Sequence, residues 1–180
     1  AYTNDSSEEN LIKVAKEAAA ALKSTSSDLT LNFLKGNDRD INPIKILPST
    51  VEKNKKVDLM KKAYEVAKNY DPCITQVTVS YLDEDQKLLV ANTEGVLAED
   101  RRVRTRFSVS SVAAKNGEMQ QGFYAPGASM GFEFFEKINV EDVAREASRI
   151  AKTMIDAEYC PSGVMPVIMD NEFGGVLFHE

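Results

Sequence analysis

Residues 73–125 hold the pattern that most limits what this chain can fold into. Thr75, Val77, Val79 and Tyr81 alternate with Ile74, Gln76, Thr78 and Ser80. A period of two puts the sets on opposite faces of a strand, and the first set is the better apolar face. Turn signals punctuate the stretch. Asp83-Glu84-Asp85 reads as a hairpin turn, Glu94-Gly95 as a second, and Lys115-Asn116-Gly117 carries the Asn-Gly pair favoured in tight hairpins. Between them lie strands over Lys87–Asn92, from about Arg101 to Ala113 with pairing resuming at Val96, and over Glu118–Tyr124. Three or four strands joined by tight turns make an antiparallel meander. Such a sheet needs a cover for its apolar face.

Helical periodicity supplies the cover. Residues 56–69 place Val57, Met60, Ala63, Tyr64 and Ala67 on one side and lysines on the other, and Asp71-Pro72 ends the helix. Residues 140–158 form a third helix, capped by Asn139, with Val143, Ala144, Ala147, Ile150, Ala151, Met154 and Ile155 as its stripe. A first helix spans residues 7–24. There Ser6 and Glu9 match a capping box, and Leu11, Val14, Ala15, Ala18, Ala21 and Leu22 read as a core face. The expected class is α+β: an antiparallel meander packed with two or three amphipathic helices. Residues 25–55 lack clear periodicity and read as a long connector, with Ile44–Leu47 a short extended piece between Pro43 and Pro48. Val164–Met169 reads as a short buried strand, and Asp170 or Asn171 as the cap of a last helix.

The net charge of −6 argues against direct nucleic-acid binding or binding to an anionic membrane, since both need a basic face. No apolar run approaches the ~18 residues of a membrane span. No basic-then-apolar leader opens the sequence. Cys73 and Cys160 lack metal spacing and read as reduced thiols of a cytoplasmic protein, a disulfide between them being the other reading. The chain starts at Ala1 without a Met and stops at Glu180, as a segment of a longer protein would.

Two charged or glycine-rich stretches carry functional alternatives. Arg102, Arg104 and Arg106 share one strand face, opposite Val103, Thr105, Phe107 and Val109. They read as an anion or peptide-carboxylate site or, as the favoured reading, as a solvated face guarded by charge. Residues 126–136 contain Gly127 and Gly131 but no phosphate-loop ending, and read as a crossing segment with buried aromatics.

The chemistry-bearing stretch is Gly174-Gly175-Val176-Leu177-Phe178-His179-Glu180, with the single histidine of the chain. His followed by Glu on an apolar helix is the first half of a zinc-hydrolase motif. There the imidazole ligates the metal and the carboxylate acts as general base toward bound water; from the two residues alone the favoured reading is a helix start with His179 and Glu180 in solvent.

With these pieces in place, the chain resembles the TldD/PmbA family, whose members are described as modulators of DNA gyrase and as metalloproteases. The resemblance rests on Tyr2-Thr3-Asn4-Asp5 before an Ala-rich helix, on Asn92-Thr93-Glu94-Gly95 followed by an Arg-containing strand, and above all on Met165-Pro166-Val167-Ile168-Met169 leading into Gly174–Glu180. The His179-Glu180 pair favours a TldD-type reading, because PmbA-type members generally lack the histidines. The resemblance implies an H-E-x-x-x-H motif with a distant cysteine ligand. His179 would be a zinc ligand and Glu180 the catalytic base. Neither Cys73 nor Cys160 matches the ligand cysteine. Residues five apart on a helix lie about 140° apart around the axis, so such a motif needs a distorted helix or a helix end. The expectation is thus part of the N-terminal domain of a zinc-dependent peptidase, truncated at both ends over residues 1–180. It would be inactive alone, act on peptides or unfolded segments, and work with a TldE/PmbA-type partner subunit or as a homo-oligomer. The alternative is a non-catalytic interaction module or regulatory subunit.

Overall fold

The computed structural model describes residues 1–22, 34–35 and 42–179. The chain divides into two compact units, one of Ala1–Arg39 with Lys87–Asp100, the other of Asp40–Gln86 with Arg101–Glu180.

Apart from residues 87–100 of the β2–β3 hairpin, which belong to the first unit, the expected α+β architecture lies in the second unit. Strands β2 (Ile74–Ala91) and β3 (Val96–Lys115) are joined by the turn over Asn92–Gly95. There the Asn92 side chain accepts from the backbone N–H groups of Glu94 and Val96. β4 (Glu118–Tyr124) pairs antiparallel with β3, from Val109 opposite Tyr124 to Lys115 opposite Glu118. The turn between them holds Asn116 and Gly117 at φ 53° and 85°. Both are left-handed values, as a tight Asn-Gly hairpin requires. The two-residue β5 (Gly127–Ala128) also pairs with β3, opposite Thr105 and Arg106.

One expectation fails in the middle of β2. Asp83-Glu84-Asp85 is not a turn but continuous strand. Each acid has a cation within reach: Asp83 meets Lys56 at 2.7 Å, Asp85 accepts two bonds from Arg101 at 2.8 and 2.6 Å, and Glu84 lies 3.8 Å from Arg104. Charges matched by neighbours need no loop to stay solvated.

The period-two reading of β3 holds. Val103, Thr105, Phe107, Val109, Ser111 and Ala113 are buried, whereas Arg102, Arg104 and Arg106 are exposed on the other face. Helices α2 (Lys53–Lys68) and α3 (Val140–Asp156) pack with the buried side. Asn139 caps α3 as expected, its side chain accepting from the Glu141 N–H at 2.9 Å. α3 buries Val140, Val143, Ala144, Ala147, Ser148, Ala151 and Ile155; Met154, expected in the stripe, is half exposed. α2 buries Ala63 and Ala67 and leaves Tyr64 partly exposed. Small residues at these contacts bring the elements close. At Gly122 of β4 an added Cβ would lie 2.0 Å from the Ala147 carbonyl oxygen. A buried polar chain crosses the layers: Ser148 donates to the Ala67 carbonyl at 3.1 Å, and the Ser111 and Ser148 hydroxyls are 2.8 Å apart. Each such bond adds roughly 1 kcal/mol and fixes register more than it adds stability.

The segment after β5 runs into a short 3₁₀ turn, Phe132–Glu136. Of its aromatics Phe134 is buried, as expected, while Phe132 and Phe135 are only half-buried, Phe135 contacting Tyr81, Phe107, Phe132 and Phe134 at centroid distances of 5.0–5.7 Å. Glu133 is buried too. Its carboxylate accepts from the backbone N–H groups of Lys45, Ile46 and Gly131 at 2.9–3.1 Å. Ile44–Leu47 is therefore held as a bonded loop and not as a strand. Burial pushes the Glu133 pKa up, but bonds from the backbone of Lys45, Glu133, Ile46 and Gly131 outweigh it and hold the group below its ordinary value. A depressed folded-state pKa means stability that is present above the unfolded value of about 4.3 and lost as pH falls through the folded one. Glu133→Gln is expected to cost about 2–3 kcal/mol at neutral pH, because an amide turns a donor toward buried N–H groups. It should also flatten the loss of stability below about pH 4. Urea unfolding of both proteins at pH 3–7 checks this; equal acid slopes would contradict it.

In the first unit, α1 (Glu8–Ala20) begins at Ser7 and not at Ser6, without a side-chain cap. Asp5 accepts from the Ser7 N–H at 2.9 Å and orders the approach. No residue of α1 is buried, so its apolar face is not the core face expected. β1 (Leu34–Lys35) pairs parallel with Val96 and Leu97 of β3. It is a described part of the expected 25–55 connector, of which 25–33 and 36–41 lie outside the described residues.

Candidate metal centre

The terminal stretch is built differently from expectation. Val164–Met169 forms no strand and is exposed throughout. Pro161 and Pro166 supply no N–H for a ladder, which favours an unpaired course. Helix α4 (Asn171–Leu177) follows, and the Gly174 N–H donates to the Asp170 carbonyl at 3.1 Å. The helix stops before the histidine. Phe178 and His179 close the last turn by donating their N–H groups to Gly174 and Val176 at 3.2 and 3.3 Å. His179 thus sits beyond a helix end, exposed, and is not on the helix as expected. Glu180 lies outside the described residues.

The geometry does not gather a ligand set. Among the described residues no group of three or more His, Cys, Asp or Glu side chains is placed to hold a metal. Zinc sites in proteins use three or four protein ligands. The residues described here do not fit a complete zinc site, and His179 is a lone imidazole. The glycine pair also lacks a local cause, since an added Cβ at Gly174 or Gly175 meets no atom within 4 Å.

Neither cysteine compensates. Both are free. Cys160 is exposed, and the Cys73 thiol is pushed up by burial and by neighbouring Asp71, against thiolate formation. The acids beside Cys73 are occupied by lysines. Asp156 accepts from Lys115 at 2.6 Å and from Lys152, and these bonds lower its pKa to about 2. Lys152 also lies 3.9 Å from Asp71. This is a chain of ion pairs on the surface, not a metal cradle.

Sequence reasoning did not single out the groove between α2 and the Phe132–Glu136 turn. It is lined by Lys55, Asp58, Leu59, Lys62, Phe132 and Phe135, with a volume of about 360 Å³. The available signal was the spacing of 55, 59 and 62 on one helix face opposite an aromatic run.

Comparison with known proteins adds what geometry alone does not. Residues 46–155 match the PmbA/TldA metallopeptidase central domain. The chain is 32% identical over 145 residues to a metalloprotease TldD homolog of Haemophilus influenzae, covering 78% of this chain and 29% of that protein. To a TldD homolog of Buchnera aphidicola it is 27% identical, covering 100% and 39%. A metalloprotease of Methanocaldococcus jannaschii is 34% identical over 137 residues, covering 76% and 29%. The chain therefore spans well under half the length of these curated relatives. Two crystal structures share the fold. One, titled a modulator of a DNA gyrase from Thermotoga maritima in a provisional description, has a TM-score of 0.64 and 23% identity over 84% of this chain and 34% of that one. Another so described, from Bacteroides thetaiotaomicron, has a TM-score of 0.65 and 15% identity over 82% and 35%.

Proposed function

The chain belongs to the PmbA/TldA metallopeptidase family, and from that premise we propose that it is part of a longer zinc-dependent peptidase acting on peptides or unfolded segments. The observation that carries the reading is the family match over residues 46–155, followed in sequence by the His179-Glu180 pair. In this reading His179 is one metal ligand and Glu180 the catalytic base, with the other ligands supplied from outside the described residues. An imidazole at a helix end has the freedom to turn toward a metal that a second ligand five residues away would share, which a regular helix would forbid. A cytoplasmic location and a partner subunit of the TldE/PmbA type, or a second copy, belong to the same proposal. Among the described residues no helix is long and apolar enough to cross a membrane.

A second reading, a non-catalytic interaction module, draws on the exposed Val176, Leu177 and Phe178, at 62%, 59% and 77% exposure. The residues that follow Glu180 in the gene separate the two: a second histidine at the motif spacing supports the peptidase, and its absence supports the module.

For the 180-residue chain by itself the expected result is weak zinc binding and no turnover of an unstructured peptide. Metal analysis after dialysis, with a peptide-cleavage assay, checks this. Stoichiometric, tightly held zinc with turnover would overturn the view that the site is incomplete here.

A further inference from the structure

We propose that the groove between α2 and the Phe132–Glu136 turn is a docking site for a protein segment that carries a bulky apolar side chain beside carboxylates. The inference stands apart from the metal-site reading.

Three observations carry it. The first is the floor. Leu59, Phe132 and Phe135 line the groove and remain partly exposed. Phe135 is also anchored in the core, 5.6 Å from the Tyr81 ring, 5.7 Å from Phe107 and 5.3 Å from Phe134. The floor is therefore held from beneath and ready formed, which lowers the ordering cost of binding. The second is the size. A volume of about 360 Å³ takes one or two bulky side chains, the scale of an anchor in a protein interface.

The third is charge. The chain carries −6 overall, yet α2 holds six lysines against two acids. Some of that charge is already spent. Lys56 meets Asp83 at 2.7 Å, Lys62 meets Glu141 at 2.7 Å, and Lys68 donates to the carbonyls of Ile74 and Thr75. Lys55 stands at the groove, exposed, with Lys53 and Lys61 exposed on the same helix. Of the two lysines that line the groove, Lys62 is taken by Glu141, so the match is between an apolar floor with Lys55 on its rim and an apolar side chain with a carboxylate beside it. Asp58 on the rim disfavours a segment that is acidic along its whole length and leaves room for one or two carboxylates near Lys55.

The test is a titration of the ¹⁵N-labelled chain with acetyl-Glu-Leu-Phe-Asp-amide, followed by amide shifts. Expected are saturable shifts centred on Lys55, Leu59, Phe132 and Phe135, with a Kd below about 1 mM. The affinity should fall with added salt and drop about fivefold in Lys55→Glu, an exposed position whose replacement leaves the fold intact. Acetyl-Lys-Leu-Phe-Lys-amide should not saturate the site, and phosphatidylserine vesicles should leave these amides unmoved. Absence of shifts in the groove, equal binding of the basic peptide, an unchanged affinity in Lys55→Glu, or vesicle binding at the same residues would each overturn the proposal.

Discussion

Replacing Gly122 with alanine is expected to lower the stability of the chain by about 3 kcal/mol or more, with a fall of roughly 10 °C in the unfolding midpoint. β4 crosses α3 so closely that an added Cβ would lie 2.0 Å from the Ala147 carbonyl oxygen, 2.4 Å from the Ala151 nitrogen and 3.0 Å from the Ile150 Cβ. The first two are backbone atoms inside a helix. No rotamer change relieves them, so α3 must move away from the sheet. That movement would loosen contacts made by Ala144, Ala147 and Ala151, all fully buried, and pull Ser148 from its bond to the Ala67 carbonyl. Close packing converts a shift of this kind into lost contact along the whole helix. Thermal unfolding of Gly122→Ala beside Gly174→Ala checks the argument. At Gly174 a Cβ meets no atom within 4 Å, so that variant should unfold near the parent midpoint. A Gly122→Ala midpoint equal to both would show that the β4–α3 approach is looser than described.

The layer that Gly122 supports was largely legible in the sequence. Alternation in β3 sorted Val103, Thr105, Phe107 and Val109 from Arg102, Arg104 and Arg106, and the Asn116-Gly117 turn was readable from two residues, because both signals are local. Asp83-Glu84-Asp85 misled because the cations that pair with it, Lys56 and Arg101, are distant in sequence or on the next strand. Val164–Met169 misled in the opposite way. An apolar run resembles a buried strand, but burial depends on a neighbour that the run itself cannot specify. Glu133 was hidden for the same reason: its three hydrogen-bond donors outside its own residue include Lys45 and Ile46, nearly ninety positions away. At the candidate metal centre the residue types were legible and their assembly was not. His179 and Glu180 name a chemistry, while a ligand set is a property of elements brought together, and the described residues bring none to His179.

The most direct measurement of the central claim uses the full-length protein that carries this chain, with zinc content and peptide hydrolysis read on the same samples. A ligand and a base fail differently. His179→Ala is expected to lose both bound zinc and turnover. Glu180→Gln keeps the size and polarity of the side chain but not its basicity; it is expected to retain zinc while hydrolysing an unstructured peptide about 10²–10⁴-fold more slowly. Full zinc and full activity in both variants would contradict the assignment of peptidase chemistry to this pair.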